Sequence, residues 1–208
     1  MDEEENVFEV KTILVGMTGT GKTNIINALV DRPFDESKIS TLTSSFVDKF
    51  MLIGNSKYHI ELWDTAGQEQ YKSLTKIFIQ DSKIVIFVYD ITNSDSFQEV
   101  DYWVQSVKEQ LGETPILGLV ANKKDLFMKE QVDEDTGRSK AEEIGARFKL
   151  TSAKTERTTI NEYMKELLEV YIRKNGGKID KVVTRGMSLD SYTGMNIDQQ
   201  KDRSKCCN

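Results

Sequence analysis

Residues 16–23 read Gly-Met-Thr-Gly-Thr-Gly-Lys-Thr: two glycines five positions apart, followed at once by a lysine and a hydroxyl side chain. That pattern suits phosphate chemistry. Successive backbone N–H groups of such a loop curl around an anionic oxygen cluster at a helix start, where the helix dipole adds positive potential. Gly16, Gly19 and Gly21 leave the backbone bare where it must approach the anion closely or adopt dihedrals that a side chain forbids. Lys22 then reaches the β- and γ-phosphates, and the Thr23 hydroxyl ligates Mg²⁺. Thr18, Thr20 and Asn24 are the neighbouring candidate nucleotide contacts.

Three more polar motifs follow strand-like runs: Asp64-Thr65-Ala66-Gly67-Gln68-Glu69, Asn122-Lys123-Lys124-Asp125 and Ser152-Ala153-Lys154. Asp64 suits Mg²⁺, directly or through water, and the Gly67 N–H suits a γ-phosphate. Asp125 carries two acceptor oxygens that match the N1–H and exocyclic amine of guanine and oppose the acceptor N1 of adenine. Each motif alone reads equally well as a surface loop. Their joint placement at strand ends is the argument, because an open α/β sheet binds its ligands beyond the C-terminal ends of its strands.

The elements that must position these residues alternate in period. Strand-like runs at 7–15, 46–53, 57–63, 83–90, 115–121 and 147–151 alternate with helical patterns at 22–31, 96–111, 136–146 and 158–173. The runs 46–53 and 57–63 flank Gly54-Asn55-Ser56 and predict an antiparallel hairpin. The whole predicts an α/β domain, a six-stranded mostly parallel sheet with helices on both faces. Inward residues are expected to be Ile25, Ile26, Leu29 and Val30; then Phe97, Val100, Trp103 and Val107; then Ile160, Met164, Leu167, Leu168 and Tyr171. Residues 34–45 carry no period and read as a long functional loop. Residues 1–6 are an acidic extension, and 175–208 read as a flexible tail.

A chain of 208 residues allows one such domain and a tail. The net charge of −6 argues against a nucleic-acid partner, which calls for a basic face. The two cysteines, Cys206 and Cys207, are adjacent near the C-terminus and cannot staple a core, which suits a reducing cytosol. No run reaches the roughly 20 apolar residues of a membrane span. The lone histidine, His59, reads as an exposed strand residue rather than a ligand or base.

Taken together, GMTGTGKT, WDTAGQE, NKKD and TSAK stand in the order and spacing of the Ras superfamily, and residues 7–174 resemble a Rab small GTPase. The Rab character lies in LWDTAGQEQY, VYDITNSDSF and the terminal Cys206-Cys207-Asn208. The resemblance implies a P-loop small G-domain that binds GTP and GDP with Mg²⁺. It also implies slow hydrolysis in vesicle trafficking and a monomer served by an exchange factor, an activating protein, effectors and a dissociation inhibitor or prenylation escort. By the same resemblance, Phe34 stacks on guanine, Thr41 binds Mg²⁺ and senses the γ-phosphate, and Gln68 orients the attacking water. Lys123 packs its stem on the base, and the Ala153 amide meets the guanine carbonyl between Ser152 and Lys154.

Phe46, Trp63 and Phe78 match the aromatic triad on which Rab effectors rest, although plain core aromatics explain them equally well. Cys206 and Cys207 match paired geranylgeranylation, against the alternative of unmodified tail residues. Two lipid chains would give a stable anchor on the cytoplasmic face of intracellular membranes, which one chain cannot. The chain departs from the family where Leu42-Thr43-Ser44-Ser45-Phe46 replaces a segment with a glycine and an acid, at Lys38, and at the β-branched Thr18. These departures raise a rival, a nucleotide-binding scaffold without turnover. An adenine-specific P-loop enzyme is a further rival, and it leaves Asp125 without a role.

Overall fold

The computed structural model describes residues 7–37, 41, 45–65, 77–176 and 181–182. Strands β1 (Val7–Val15), β2 (Ser45–Ile53), β3 (Ser56–Asp64), β4 (Ile84–Asp90), β5 (Ile116–Asn122) and β6 (Arg147–Leu150) form one sheet in the order β2-β3-β1-β4-β5-β6. Only the β2–β3 hairpin is antiparallel along this path. Helix α1 (Lys22–Leu29) follows β1, α2 (Ser94–Leu111) joins β4 to β5, α3 (Glu134–Ile144) joins β5 to β6, and α4 (Arg157–Lys174) follows β6.

The sheet buries both faces, which is why its central strands read as unbroken apolar runs. Every residue of β4 is buried. Its side chains alternate between two cores: Ile86 and Val88 pack with Ile26, Leu167 and Leu168, while Phe87 and Tyr89 pack with Trp103 and Leu119. The inward residues expected of α4 are all buried, as are Ile25, Ile26, Leu29, Val100, Trp103 and Val107. Val30 and Phe97 are partly buried against the same cores.

Helix starts differ from the periodicity because side chains cap them. Asn93 accepts from the Asp95 and Ser96 N–H groups, so α2 begins at Ser94. Asp133 accepts from the Thr136 N–H, so α3 begins at Glu134, and Gly145 closes it in the left-handed region. Apolar period locates the buried stripe of a helix, whereas the cap decides where its backbone starts.

The tail holds one more element. Strand β4 pairs with β1 only from Thr12 onward, and a short β7 (Lys181–Val182) takes Phe8 and Val7 antiparallel. This pair lies along a length of β1 edge that β4 leaves without a strand partner. His59 also departs from the exposed position expected of it. It is half-buried between two carboxylates, with Nε2 2.7 Å from Asp48 and Nδ1 3.5 Å from Glu9, and its ring stacks on Phe50 at 4.9 Å.

Candidate functional site

The four polar motifs meet at the C-terminal ends of the parallel strands. They line one cleft of about 930 Å³, with Thr18, Gly19, Gly21 to Asn24, Phe34, Thr41, Asn122, Lys123, Asp125 and Ser152 to Lys154 on its walls. That volume suits a ligand of nucleotide size.

Backbone geometry explains the glycines of the first loop. Gly16 has φ 146°, and a Cβ there would lie 2.2 Å from the Val88 carbonyl oxygen. Gly21 has φ 94°, and its Cβ would meet the Asn122 carboxamide at 2.4 Å. Both positions exclude a side chain on two counts, dihedral and space.

Lys22 lies in the mouth of this loop, 5% exposed, and its ammonium donates to Gly16 O at 2.8 Å and Met17 O at 2.9 Å. Burial lowers its pKa to about 8, against the opposing pull of Asp64. Among the described residues its hydrogen bonds go to neutral carbonyls, and a phosphate would add the charged partner that a buried cation favours.

The neighbouring oxygens fit a hard cation. The Thr23 hydroxyl donates to Asp64 Oδ2 at 2.7 Å and lies 3.0 Å from the Thr41 hydroxyl. Asp64 is 6% exposed, and its Oδ1 is buried without a hydrogen-bond partner among the described residues. Burial raises the Asp64 pKa, opposed by the Thr23 bond and the Lys22 charge. An orphaned carboxylate oxygen beside two hydroxyls is a donor set for Mg²⁺, which prefers oxygen ligands. The Thr65 hydroxyl, fully buried, donates to Leu14 O at 2.7 Å and fixes the end of β3 against β1.

At the other end, Asn122 ties three segments together. Its Nδ2 donates to Thr20 O at 2.8 Å, and its Oδ1 accepts from the Ala153 N–H at 3.1 Å. Ser152 is a second hub: its hydroxyl donates to Asp125 Oδ1 at 2.6 Å and accepts from the N–H groups of Lys154 and Thr155. Asp125 is thereby oriented at the exposed rim of the cleft. Lys123 sits in the left-handed region, φ 67°, with its ammonium 2.7 Å from Asp90 Oδ2. Phe34 is half-buried on the core, with the Lys154 ammonium 5.6 Å above its ring.

Most of the expected residues therefore converge. Gly67, Gln68, Lys38, residues 42–44, Cys206 and Cys207 lie outside the described residues. Away from the cleft, Phe46, Trp63 and Phe78 do cluster, with ring centres 5.1 and 5.5 Å apart and Lys11 Nζ 4.7 Å over the Trp63 ring. Phe46 is 50% exposed, so at that position a plain core role fails. Sequence reasoning missed Asp90 as the partner of Lys123 and Asn24 as a partner of Asp35; only the acid at the end of a central strand hinted at the first.

Comparison with known proteins agrees with this geometry. The Ras family model matches residues 11–173. The chain is similar to Ras-related protein Rab-21 of Bos taurus and of Canis lupus familiaris, 39% identical to each over 147 residues. Each match covers 71% of this chain and 66%, just under two thirds, of the relative.

Proposed function

The chain belongs to the Ras family, and from that premise we propose that it is a Rab-like small GTPase, a Mg²⁺-dependent, membrane-anchored switch in vesicle trafficking. The observation that carries the reading is the single cleft with Lys22 and the Thr23–Asp64 pair at one end and the Ser152–Asp125 pair at the other. A guanosine di- or triphosphate has phosphates for the first end and a base edge for the second.

The loop amides and the Lys22 ammonium hold the phosphates and stabilise charge on the γ-phosphoryl oxygens as its bond to the β-phosphate breaks. Thr23, Thr41 and Asp64 would hold Mg²⁺. When bound, that ion neutralises charge on the phosphate oxygens. Gln68 is assigned to align the attacking water. The loop 34–45 contains no arginine, so a partner is expected to supply one, and intrinsic turnover should be on the order of 10⁻⁴ to 10⁻³ s⁻¹, as for Ras. Loss of the γ-phosphate should release Thr41 and the segment after Gly67, which is the signal that effectors read. The exposed aromatic cluster at Phe46 supports an effector platform. Cys206 and Cys207 are the proposed sites of two geranylgeranyl groups.

A single-turnover assay with GTP labelled at the γ-phosphate tests the reading. Slow phosphate release by the wild type, lost in Gln68→Leu, is expected. Tight binding without release, even with cell extract as a source of activators, would favour the non-hydrolysing scaffold. For the anchor, replacing both Cys206 and Cys207 by Ser should move the protein into the soluble fraction, and unchanged membrane partition would exclude lipidation there.

A further inference from the structure

Residues 32–37 carry no helix or strand, so what fixes their path is side-chain contact from neighbouring elements. Two rigid elements supply it. The guanidinium of Arg157, the first residue of α4, donates to the Arg32 carbonyl at 2.6 Å. The carboxamide of Asn24, one residue beyond Thr23 on α1, engages both peptide groups of Asp35: Nδ2 donates to Asp35 O at 2.9 Å, and Oδ1 accepts from the Asp35 N–H at 2.8 Å. The Asp35 carboxylate in turn accepts from the Ser37 N–H and hydroxyl, at 2.8 and 2.9 Å. Phe34, packed on the core and lining the base end of the cleft, is bracketed between the two anchors.

A carboxamide is suited to this clasp because it presents a donor and an acceptor side by side, as a peptide group does. A carboxylate lacks the donor, and alanine lacks both. The site expected of Asn24 from sequence was the nucleotide, whereas its side chain is committed to Asp35.

We propose that Asn24 is a positioning residue for nucleotide retention: its clasp on Asp35 keeps Phe34 over the base end of the cleft, so nucleotide leaves only when the clasp opens. The proposal rests on the guanine-nucleotide reading above. It makes the helix that carries Lys22 and the proposed Mg²⁺ ligand Thr23 also the anchor of the base-side strap, and it predicts equal effects on GDP and GTP because the clasp does not sense the γ-phosphate.

The test is the release rate of fluorescent GDP, and of a fluorescent non-hydrolysable GTP analogue, from the full chain. Asn24→Ala should release both about tenfold faster, the effect of losing two ordinary hydrogen bonds. Asn24→Asp, which keeps the acceptor and loses the donor, should also release faster than wild type. In a Phe34→Ala background, Asn24→Ala should add less than about twofold, since residues that act through one another are not additive. Wild-type release by both Asn24 variants, or equal acceleration with and without Phe34, would overturn the proposal. A wild-type chain that binds no guanine nucleotide would instead overturn the reading beneath it.

Discussion

The Thr23 hydroxyl donates to one oxygen of Asp64 at 2.7 Å, while the other oxygen of that carboxylate is buried without a hydrogen-bond partner among the described residues. The two residues are 41 positions apart and are brought together because β1 and β3 are parallel neighbours in the sheet. Burial makes the ionised carboxylate costly, so a divalent cation bound there gains from both charge and coordination. Chelation of Mg²⁺ should accelerate GDP release from wild type by about 10–100-fold, the range for a lost charge-assisted interaction. Asp64→Asn should be fast with or without chelator. An Asn variant that still responds to chelation as wild type does would remove Asp64 from the metal site.

The 2.6 Å bond from Ser152 sets the orientation of the Asp125 carboxylate, the group proposed to read the base. A site built to hydrogen-bond a base edge rejects the wrong base because its own polar groups are left unpaired. Asp125→Ala should therefore cut the preference for GTP over ATP by about a hundredfold or more. Ser152→Ala should cost about tenfold, through loss of orientation. Displacement of fluorescent GDP by each unlabelled nucleotide reads the ratio. If Asp125→Ala leaves it unchanged, guanine is recognised elsewhere.

Acid stability should report the cap of α3. Hydrogen bonds from Thr136 lower the Asp133 pKa below its ordinary 3.8. A carboxylate with a depressed folded pKa contributes stability that is complete above 3.8 and is lost as pH falls through the folded value. Asn also caps helices but does not titrate. The melting temperature of wild type should exceed that of Asp133→Asn at neutral pH, and the gap should close only below about pH 3.8. A gap that persists unchanged into strong acid would mean that the charge of Asp133 contributes nothing.

Local chemistry was legible in the sequence where a motif is contiguous. The run from Gly16 to Thr23 carries its own glycines, cation and hydroxyl, and the strand before it and helix after it follow from apolar period. The sheet order was legible only as a class. What period cannot show is which distant side chain completes a motif. Lys123 finds Asp90 because β4 and β5 are adjacent and end level with each other. His59 is flanked by Asp48 and Glu9 because β3 lies between β2 and β1 in that register. Asn24 meets Asp35 only after the chain turns back at the end of α1. Each is a product of topology, and a one-residue change of strand register would erase the first two.

Asn122 is the residue whose role changes most between motif and structure. The motif makes it part of a base-recognition signature, yet both ends of its 2%-exposed carboxamide are engaged by the protein, by Thr20 O in the phosphate loop and by the Ala153 N–H after β6. It is the strut between the two ends of the cleft. Asn122→Ala leaves a buried acceptor and a buried donor unpaired, at about 1–3 kcal/mol each. The nucleotide-free protein should melt lower, and GDP affinity should fall with it. Asn122→Asp keeps the acceptor for Ala153 but sets a carboxylate against the Thr20 carbonyl, so it should not rescue either property. Gly21→Ala reaches the same strut from the other side, since its new Cβ would lie 2.4 Å from Asn122 Nδ2. It should lower GDP affinity both through that contact and through its own left-handed dihedral, φ 94°, and removing the Asn122 side chain relieves only the first. The double variant should therefore lose less affinity than the two single losses combined. Fully additive losses would show that the contact between glycine and strut contributes nothing.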